Sequence, residues 1–264
     1  MKPPISYYGG KQNMLSELLP LIPKHESYIE PFFGGGALFF AKTPSPLEVI
    51  NDTNQLMINF YRQMVVNFDA LELEIRATLH SRFEHFRAGQ IIKGRVESTD
   101  LQKAWAIYVS INQGFGNKID DGWGYEKTNT RRQLSQSFSN MKTNFHTYKH
   151  RLNTVQIECQ DALKVIKVYD RPDALFYLDP PYYNSDCGHY KGYTEADYQQ
   201  LIDLIQTIKG KFILSSYPNK VIDSIEWTWR KDIEKNRSVN ATAGARKTEV
   251  IITNFQPPQM QLFK

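Results

Sequence analysis

The stretch Leu175-Phe176-Tyr177-Leu178 runs apolar and aromatic without alternation, then stops on Asp179-Pro180-Pro181-Tyr182-Tyr183. A continuous apolar run marks a strand covered on both faces, as in parallel sheets. Prolines cannot donate to a sheet ladder, so the strand ends at Asp179 and a stiff loop follows it. Open α/β sheets bind ligands at the carboxyl ends of their strands. Upstream, ESYIEPFFGGGALFFAK reads as a strand, a glycine-rich turn and a helix, and LEVINDTN as a second strand ending in an acid and an amide. From residue 57 to 151 the period changes to helical patches, LMINFYRQMVVNF and LQKAWAIYVSIN, followed by the loop-rich NQGFGNKIDDGWGYEKTNTRRQ. After it come VQIECQDAL, ALFYLDPPYY, the helix EADYQQLIDLIQTIKG, the strand KFILSSYPN and a last strand around TEVIITNF. Strands alternating with helices predict an α/β fold, a mostly parallel sheet with helices on both faces. The expected division is 1–56 with 152–264 as one α/β domain, and 57–151 as a mainly helical insert.

Composition narrows the classes. The 264 residues can bury a large core, and 32 Lys and Arg against 28 Asp and Glu give a mildly basic +4. Two cysteines, Cys159 and Cys187, lack metal-ligand spacing, which argues against a disulfide framework or a zinc site and fits a reducing cytosol. His146 and His150 stand four apart with no acid nearby in sequence to complete a metal site, so they belong to a basic face and no metal is expected. Met57, Met64 and Trp105 read as core. The amino terminus has no signal-like apolar run and no segment is long and apolar enough to span a membrane, so a cytoplasmic protein is expected.

The basic residues are bunched. No Asp or Glu occurs between Glu126 and Glu158, while Lys127, Arg131, Arg132, Lys142, Lys149 and Arg151 fall there among aromatic and amide groups. A second strip holds Arg230, Lys231, Lys235, Arg237, Arg246 and Lys247. Each strip alone is as readily a solvated face; together they favour phosphate, hence nucleic acid.

In Phe32-Phe33-Gly34-Gly35-Gly36 the small residues let backbone approach a ligand. Asp52 ends the next strand sixteen positions after Gly36, placed to accept from both hydroxyls of a ribose. The spacing is not G-x-G-x-x-G, so a nucleoside cofactor without a pyrophosphate is the better fit.

With SYYGGKQ, FFGGG and DPPY in this order, the chain resembles the Dam-type (D12 class, alpha-group) adenine-N6-specific DNA methyltransferases over nearly its whole length. The resemblance implies a Rossmann-like S-adenosylmethionine-dependent fold, a seven-stranded sheet with one antiparallel edge strand, an inserted DNA-recognition domain and a flipped target adenine. S-adenosyl-L-methionine would be the cofactor and double-stranded DNA the partner of a monomer. By position, Tyr7 and Lys11 would hold its methionine part, Gly34 and Gly36 line it, Asp52 take its ribose, and Asp161 lie near its adenine, with Asp179 at the transferred methyl. Asp161 is followed by Ala162 where the family has an aromatic, and a plain loop aspartate remains open.

The chemistry of the Asp179 loop follows. The lone pair of adenine N6 is delocalised into the ring. If Asp179 and the carbonyl of Pro180 each accept one N6 hydrogen, the lone pair is aimed at the methyl group, and Tyr182 stacks on the base. A carboxylate is too weak a base to deprotonate a neutral aryl amine, so Asp179 orients rather than abstracts. DNA contacts are expected from Lys118, Arg131, Arg132, Arg237 and Arg246. Asp120 and Asp121 stand where GATC-recognising members carry an arginine. Carboxylates cannot donate to guanine, so GATC is not the expected target unless Lys118 supplies that contact. Cytosine-N4, RNA or protein-glutamine amino-methyltransferases, and a catalytically silent DNA-binding protein of this fold, remain the alternatives. Asp rather than Ser before the prolines favours adenine over cytosine, and the long basic insert disfavours a protein substrate.

Overall fold

The computed structural model describes residues 1–7, 9–119, 121–126, 133–182, 193–236 and 246–258. Seven strands, β1 (Ser27–Glu30), β2 (Leu47–Asn51), β3 (Val155–Glu158), β4 (Ala174–Leu178), β5 (Lys211–Ser216), β6 (Trp229–Asn236) and β7 (Arg246–Thr253), form one sheet in the order β3-β2-β1-β4-β5-β7-β6. β1 runs parallel to β2 and β4, and β4 parallel to β5. β7 is antiparallel to both β5 and β6. The reversed strand therefore lies inside the sheet, and the edge beside it is β6. This corrects the expectation of an antiparallel edge strand.

The alternating pattern missed β6 because five of the eight residues of its sequence, WRKDIEKN, are charged. Charged side chains are how an edge strand avoids pairing with another chain. Two of them are also spoken for. Arg230 donates to Asp223 at 2.7 Å and to Asp232 at 2.8 Å, and Lys231 donates to Glu17 at 2.7 Å. Two members of the second basic strip are thereby committed to the protein itself.

The helices are α1 (Leu15–Leu18), α2 (Ala37–Ala41), α3 (Gln55–Val66), α4 (Phe68–Ala77), α5 (Arg82–Ile92), α6 (Asp100–Gln113), α7 (Leu134–Thr143), α8 (Ala162–Tyr169), α9 (Glu195–Ile205) and α10 (Lys220–Asp223). The chain divides into two compact units. One comprises Met1–Leu15, Gly34–Thr43 and Asn51–Cys159; the other Ser16–Phe33, Pro44–Ile50 and Gln160–Lys264.

In the second unit, one sheet face buries Ile29, Phe176, Leu178, Leu214, Val250 and Ile252 against Val165 and Ile166 of α8 and Tyr198, Leu201, Ile202 and Ile205 of α9. The α9 positions recur at three and four residues, the stripe an amphipathic helix turns to a core. Each such aliphatic side chain contributes roughly 1.5–3 kcal/mol when buried. A capping box starts the helix: Thr194 Oγ1 accepts from the Asp197 amide at 3.2 Å while the Asp197 carboxylate accepts from the Thr194 amide at 2.8 Å. The Thr194 hydroxyl, donating to the same carboxylate at 2.7 Å, and then the Thr194 amide hold the Asp197 carboxyl below its usual range.

In the first unit, α3 and α6 pack Met57, Phe60, Tyr61 and Met64 with Trp105 and Tyr108, all buried, as expected of Met57, Met64 and Trp105. Phe68 stacks on Phe145 with ring centroids 5.4 Å apart, and Trp105 donates to Thr78 at 2.7 Å. Much of the first basic strip is structural here. Lys149 pairs with Asp69 at 2.6 Å, Lys142 donates to the carbonyl of Arg76 at 3.2 Å and to that of Thr78, and the Arg151 guanidinium lies 3.6 Å over the Phe39 ring.

Candidate active site

Two clusters of chemically able residues stand out, one in each unit. The first gathers at the carboxyl ends of β1, β4 and β5. The register pairs Tyr28 with Leu175, Tyr177 with Ile213, and Ser215 with Ile251. Side chains two residues apart share a face. Tyr28, Glu30, Tyr177, Ser215 and Glu249 therefore line the face opposite the apolar one. Burial makes this a satisfied polar ladder: Tyr28 donates to Glu30 at 2.8 Å, and the Tyr177 and Ser215 hydroxyls lie 3.1 Å apart. Burial, together with the carboxylates of Glu30 and Asp179, pushes both phenols well above the ordinary tyrosine range, so they stay protonated donors.

Asp179 follows β4 directly, as the sequence requires, and buried Pro180 comes next. The Tyr182 hydroxyl donates to Asp179 Oδ1 at 3.0 Å and lies 3.5 Å from Glu249 Oε2. Its ring rests on Tyr217, which follows β5 as Tyr182 follows β4, with centroids 4.1 Å apart and planes at 58°. Burial first, then the charges of Asp179 and Glu249, raise the Tyr182 phenol far above its usual value. Glu249 and Tyr217 were missed by sequence reasoning. The available signal was an acid inside the otherwise apolar TEVIITNF. Asp161 is the N-cap of α8, its carboxylate accepting from the Lys164 amide at 3.1 Å.

The second cluster is the glycine turn. Gly34 and Gly36 have φ of 48° and 65°, the left-handed region in which a side chain is strained. Tyr7 lies against this turn. A Cβ on Gly34 would come within 3.3 Å of the Tyr7 ring, and one on Gly35 within 2.9 Å of the Tyr7 Cβ. The turn is pinned from two sides: the Gly34 amide donates to Asp52 Oδ2 at 2.9 Å, and Tyr61 donates to the Gly34 carbonyl at 2.9 Å. Asp52 Oδ1 accepts from the Asn54 amide at 2.9 Å. Withdrawal from water raises the Asp52 carboxyl above the usual value, and the amide donors partly offset this. An ionised carboxylate has about four acceptor positions, so Asp52 retains capacity for a hydroxyl pair while holding the turn. Lys11 is buried and donates to the Gly9 carbonyl at 3.3 Å, in a turn closed by the Gly10 amide donating to the Tyr7 carbonyl at 3.0 Å.

Of the expected DNA-binding residues, Lys118 is half-buried after the turn Phe115–Asn117. The flanking chain closes as a hairpin, Gly114 bridging to Trp123, and Asp121 accepts from the Gly122 amide at 2.7 Å. Asp120, Arg131, Arg132 and Arg237 lie outside the described residues, and Arg246 is placed on β7 by its backbone only. His146 and His150 make local contacts, to the Thr143 carbonyl at 3.0 Å and Asn153 at 3.4 Å.

The sheet order, the reversed β7 and the acid-Pro-Pro-aromatic loop after β4 define a Rossmann-like methyltransferase fold. The chain belongs to the family described as D12 class N6 adenine-specific DNA methyltransferase, which matches residues 7–242. It is an adenine-specific DNA methyltransferase. Among its relatives are the type II methyltransferase M1.LlaDCHI of Lactococcus lactis subsp. cremoris, 27% identical over 97% of this chain and 96% of that protein. The retron Ec67 DNA adenine methylase of Escherichia coli is 24% identical over 94% and 89%. The DNA adenine methylase of Serratia marcescens is 22% identical over 76% of each. Among the described residues no helix is long and apolar enough to cross a membrane.

Proposed function

We propose that this enzyme moves the methyl group of S-adenosyl-L-methionine to N6 of an adenine extruded from double-stranded DNA, acting as a cytoplasmic monomer. The observation that carries the reading is the Asp179 loop. It places a carboxylate beside a proline-fixed carbonyl at the end of β4, with an aromatic ring three residues on that is held by Tyr217. Asp179 and the Pro180 carbonyl accept the two N6 hydrogens, which localises the nitrogen lone pair. Tyr182 provides the ring on which the base stacks. Asp179 serves as an oriented acceptor, and the proton leaves only once the methylated nitrogen is cationic.

The cofactor, when bound, supplies an electrophilic sulfonium methyl. The site fits such a group because Asp52, while it holds the glycine turn, can still accept from a ribose diol. Gly34 and Gly36 line it, Asp52 takes its hydroxyls, and Tyr7 and Lys11 serve its amino-acid end; Lys11 is the cation for a carboxylate. Asp161, which also caps α8, lies at the cofactor's adenine end. Residues 57–151 form the target-recognition part, with 1–56 and 152–264 catalytic, and Lys118, Arg131, Arg132, Arg237 and Arg246 meet the DNA.

The test is Asp179→Ala. One oriented acceptor of a pair is worth on the order of 100-fold or more. The variant is expected to remain folded and to lose at least that factor in single-turnover methyl transfer. Retention of more than about a tenth of the rate overturns the acceptor reading.

A further inference from the structure

The last two residues of α6, Asn112 and Gln113, each hold a stretch of neighbouring backbone with both polar atoms of the side-chain amide. Asn112 Oδ1 accepts from the Ser6 amide at 3.2 Å, and its Nδ2 donates to the Pro4 carbonyl at 3.2 Å. Gln113 Oε1 accepts from the Ser81 amide at 3.1 Å, and its Nε2 donates to the Leu79 carbonyl at 2.8 Å. Directly after them the chain enters the hairpin that carries Lys118, closed where the Gly124 amide donates to the Gln113 carbonyl at 2.8 Å. Arg82 braces the returning arm of that hairpin, its guanidinium 4.7 Å from the Trp123 ring and 5.2 Å from that of Tyr125. The end of α6 is therefore bonded to the hairpin on one side and to residues 4–6 on the other.

Residues 1–7 belong to no helix or strand, so side chains elsewhere hold them in place. Tyr148 donates to the Lys2 carbonyl at 2.8 Å, and Asn112 takes the polar groups of Pro4 and Ser6. Between these two, the Ile5 carbonyl lies 3.4 Å from where a Cβ on Gly35 would stand, and the Tyr7 Cβ lies 2.9 Å from it. The segment is thus fixed by α6 at the place where it walls the glycine turn. We infer that Asn112 is a positioning residue that couples the hairpin to the glycine turn, so that DNA held at the hairpin tightens the binding of S-adenosyl-L-methionine. The inference rests on the proposed roles of the turn in cofactor binding and of Lys118 in DNA binding. Chain outside regular structure loses conformational freedom when a ligand fixes it. A ligand that fixes the hairpin also fixes the end of α6 and, through Asn112, residues 4–6, and the cofactor then meets a turn already ordered. By linkage, the cofactor tightens DNA binding by the same factor.

The experiment is calorimetric titration of S-adenosyl-L-methionine into the enzyme alone and into the enzyme saturated with a duplex. The duplex carries the target site, mapped by sequencing methylated bases, with an abasic position in place of the target adenine. No base then enters the Asp179 loop, so direct contact between base and cofactor adds nothing to the result. Coupling between two sites is typically worth roughly 5- to 150-fold, and the parent enzyme is expected to bind the cofactor about fivefold or more tightly with the duplex present. Asn112→Ala puts a good helix former at that position and is expected to cut the factor to less than about twofold. Asn59→Ala removes a side-chain bond of the same kind in the same unit, to the Asp100 carbonyl at 2.7 Å, and is expected to keep the parent factor. A parent enzyme without coupling overturns the inference, and so does an Asn112→Ala factor equal to the parent's. An equal loss in Asn59→Ala overturns it too, because general loosening then explains the effect. Asp52→Asn separates the two levels. If that variant keeps its cofactor affinity, the cofactor site is misassigned and the inference falls with it; if its affinity drops while Asn112→Ala keeps the coupling, only the role of Asn112 falls.

Discussion

At the scale of single residues, Asp52 shows how one carboxylate holds a loop and still serves a ligand. Its oxygens accept from the Gly34 and Asn54 amides, and its desolvation is the larger influence on its titration. Because the folded carboxyl titrates above its unfolded value, the group favours folding most at low pH. That advantage is lost as pH rises through the folded pKa. Asp52→Asn removes the charge and keeps one carbonyl acceptor. It sets an NH2 donor against one of the two amide donors that pin the turn, so it is expected to lower the melting temperature at pH 7 and to weaken S-adenosylmethionine binding by roughly tenfold or more, the worth of a charged hydrogen bond. Calorimetric titration beside a thermal melt checks both. A lower melting temperature with unchanged cofactor affinity would mark Asp52 as structural alone.

At the scale of elements, the connection from β2 to α3 joins the proposed cofactor site to the helical core. Asn54 caps α3, its side chain accepting from the Leu56 amide at 3.1 Å and the Met57 amide at 3.3 Å, while its own amide donates to Asp52. Replacing such a cap by alanine costs about 1 kcal/mol. Asn54→Ala is therefore expected to shift the urea midpoint with an unchanged m-value. Its backbone amide survives the substitution, so cofactor affinity should fall less than in Asp52→Asn. An affinity loss as large as that of Asp52→Asn would show that the cap, and not the carboxylate, sets the site. The strand pattern tells a related story: β4 was legible because burial on both faces demands an unbroken apolar run, whereas β6 was hidden because its edge demands charge.

For the molecule as a whole, the mild +4 charge understates how selectively cations are used. Lys142, Lys149, Arg151, Arg230 and Lys231 bind partners within the protein. Phosphate binding is expected of Arg131 and Arg132, which lie outside the described residues. Replacing both by alanine should flatten the salt dependence of non-specific DNA affinity by about one unit per lost phosphate contact, with cofactor binding unchanged. Fluorescence anisotropy across a salt series reads this slope. A slope equal to that of the parent enzyme would remove both arginines from the interface.

The sequence by itself determined the alternation of strands and helices, the end of β4 at a proline pair, the glycine turn and the acid after β2. These are local consequences of backbone chemistry: period, missing amide donors and left-handed dihedrals leave marks within a few residues. Only the tertiary structure decided that the reversed strand lies inside the sheet, that Arg230 and Lys231 are spent on neighbouring acids, and that Tyr182 stands between Asp179 and Glu249. Glu249 is 67 residues from Tyr182 in the chain. Pairings over such separations are set by strand register and shared burial, which no local pattern of polar and apolar residues encodes.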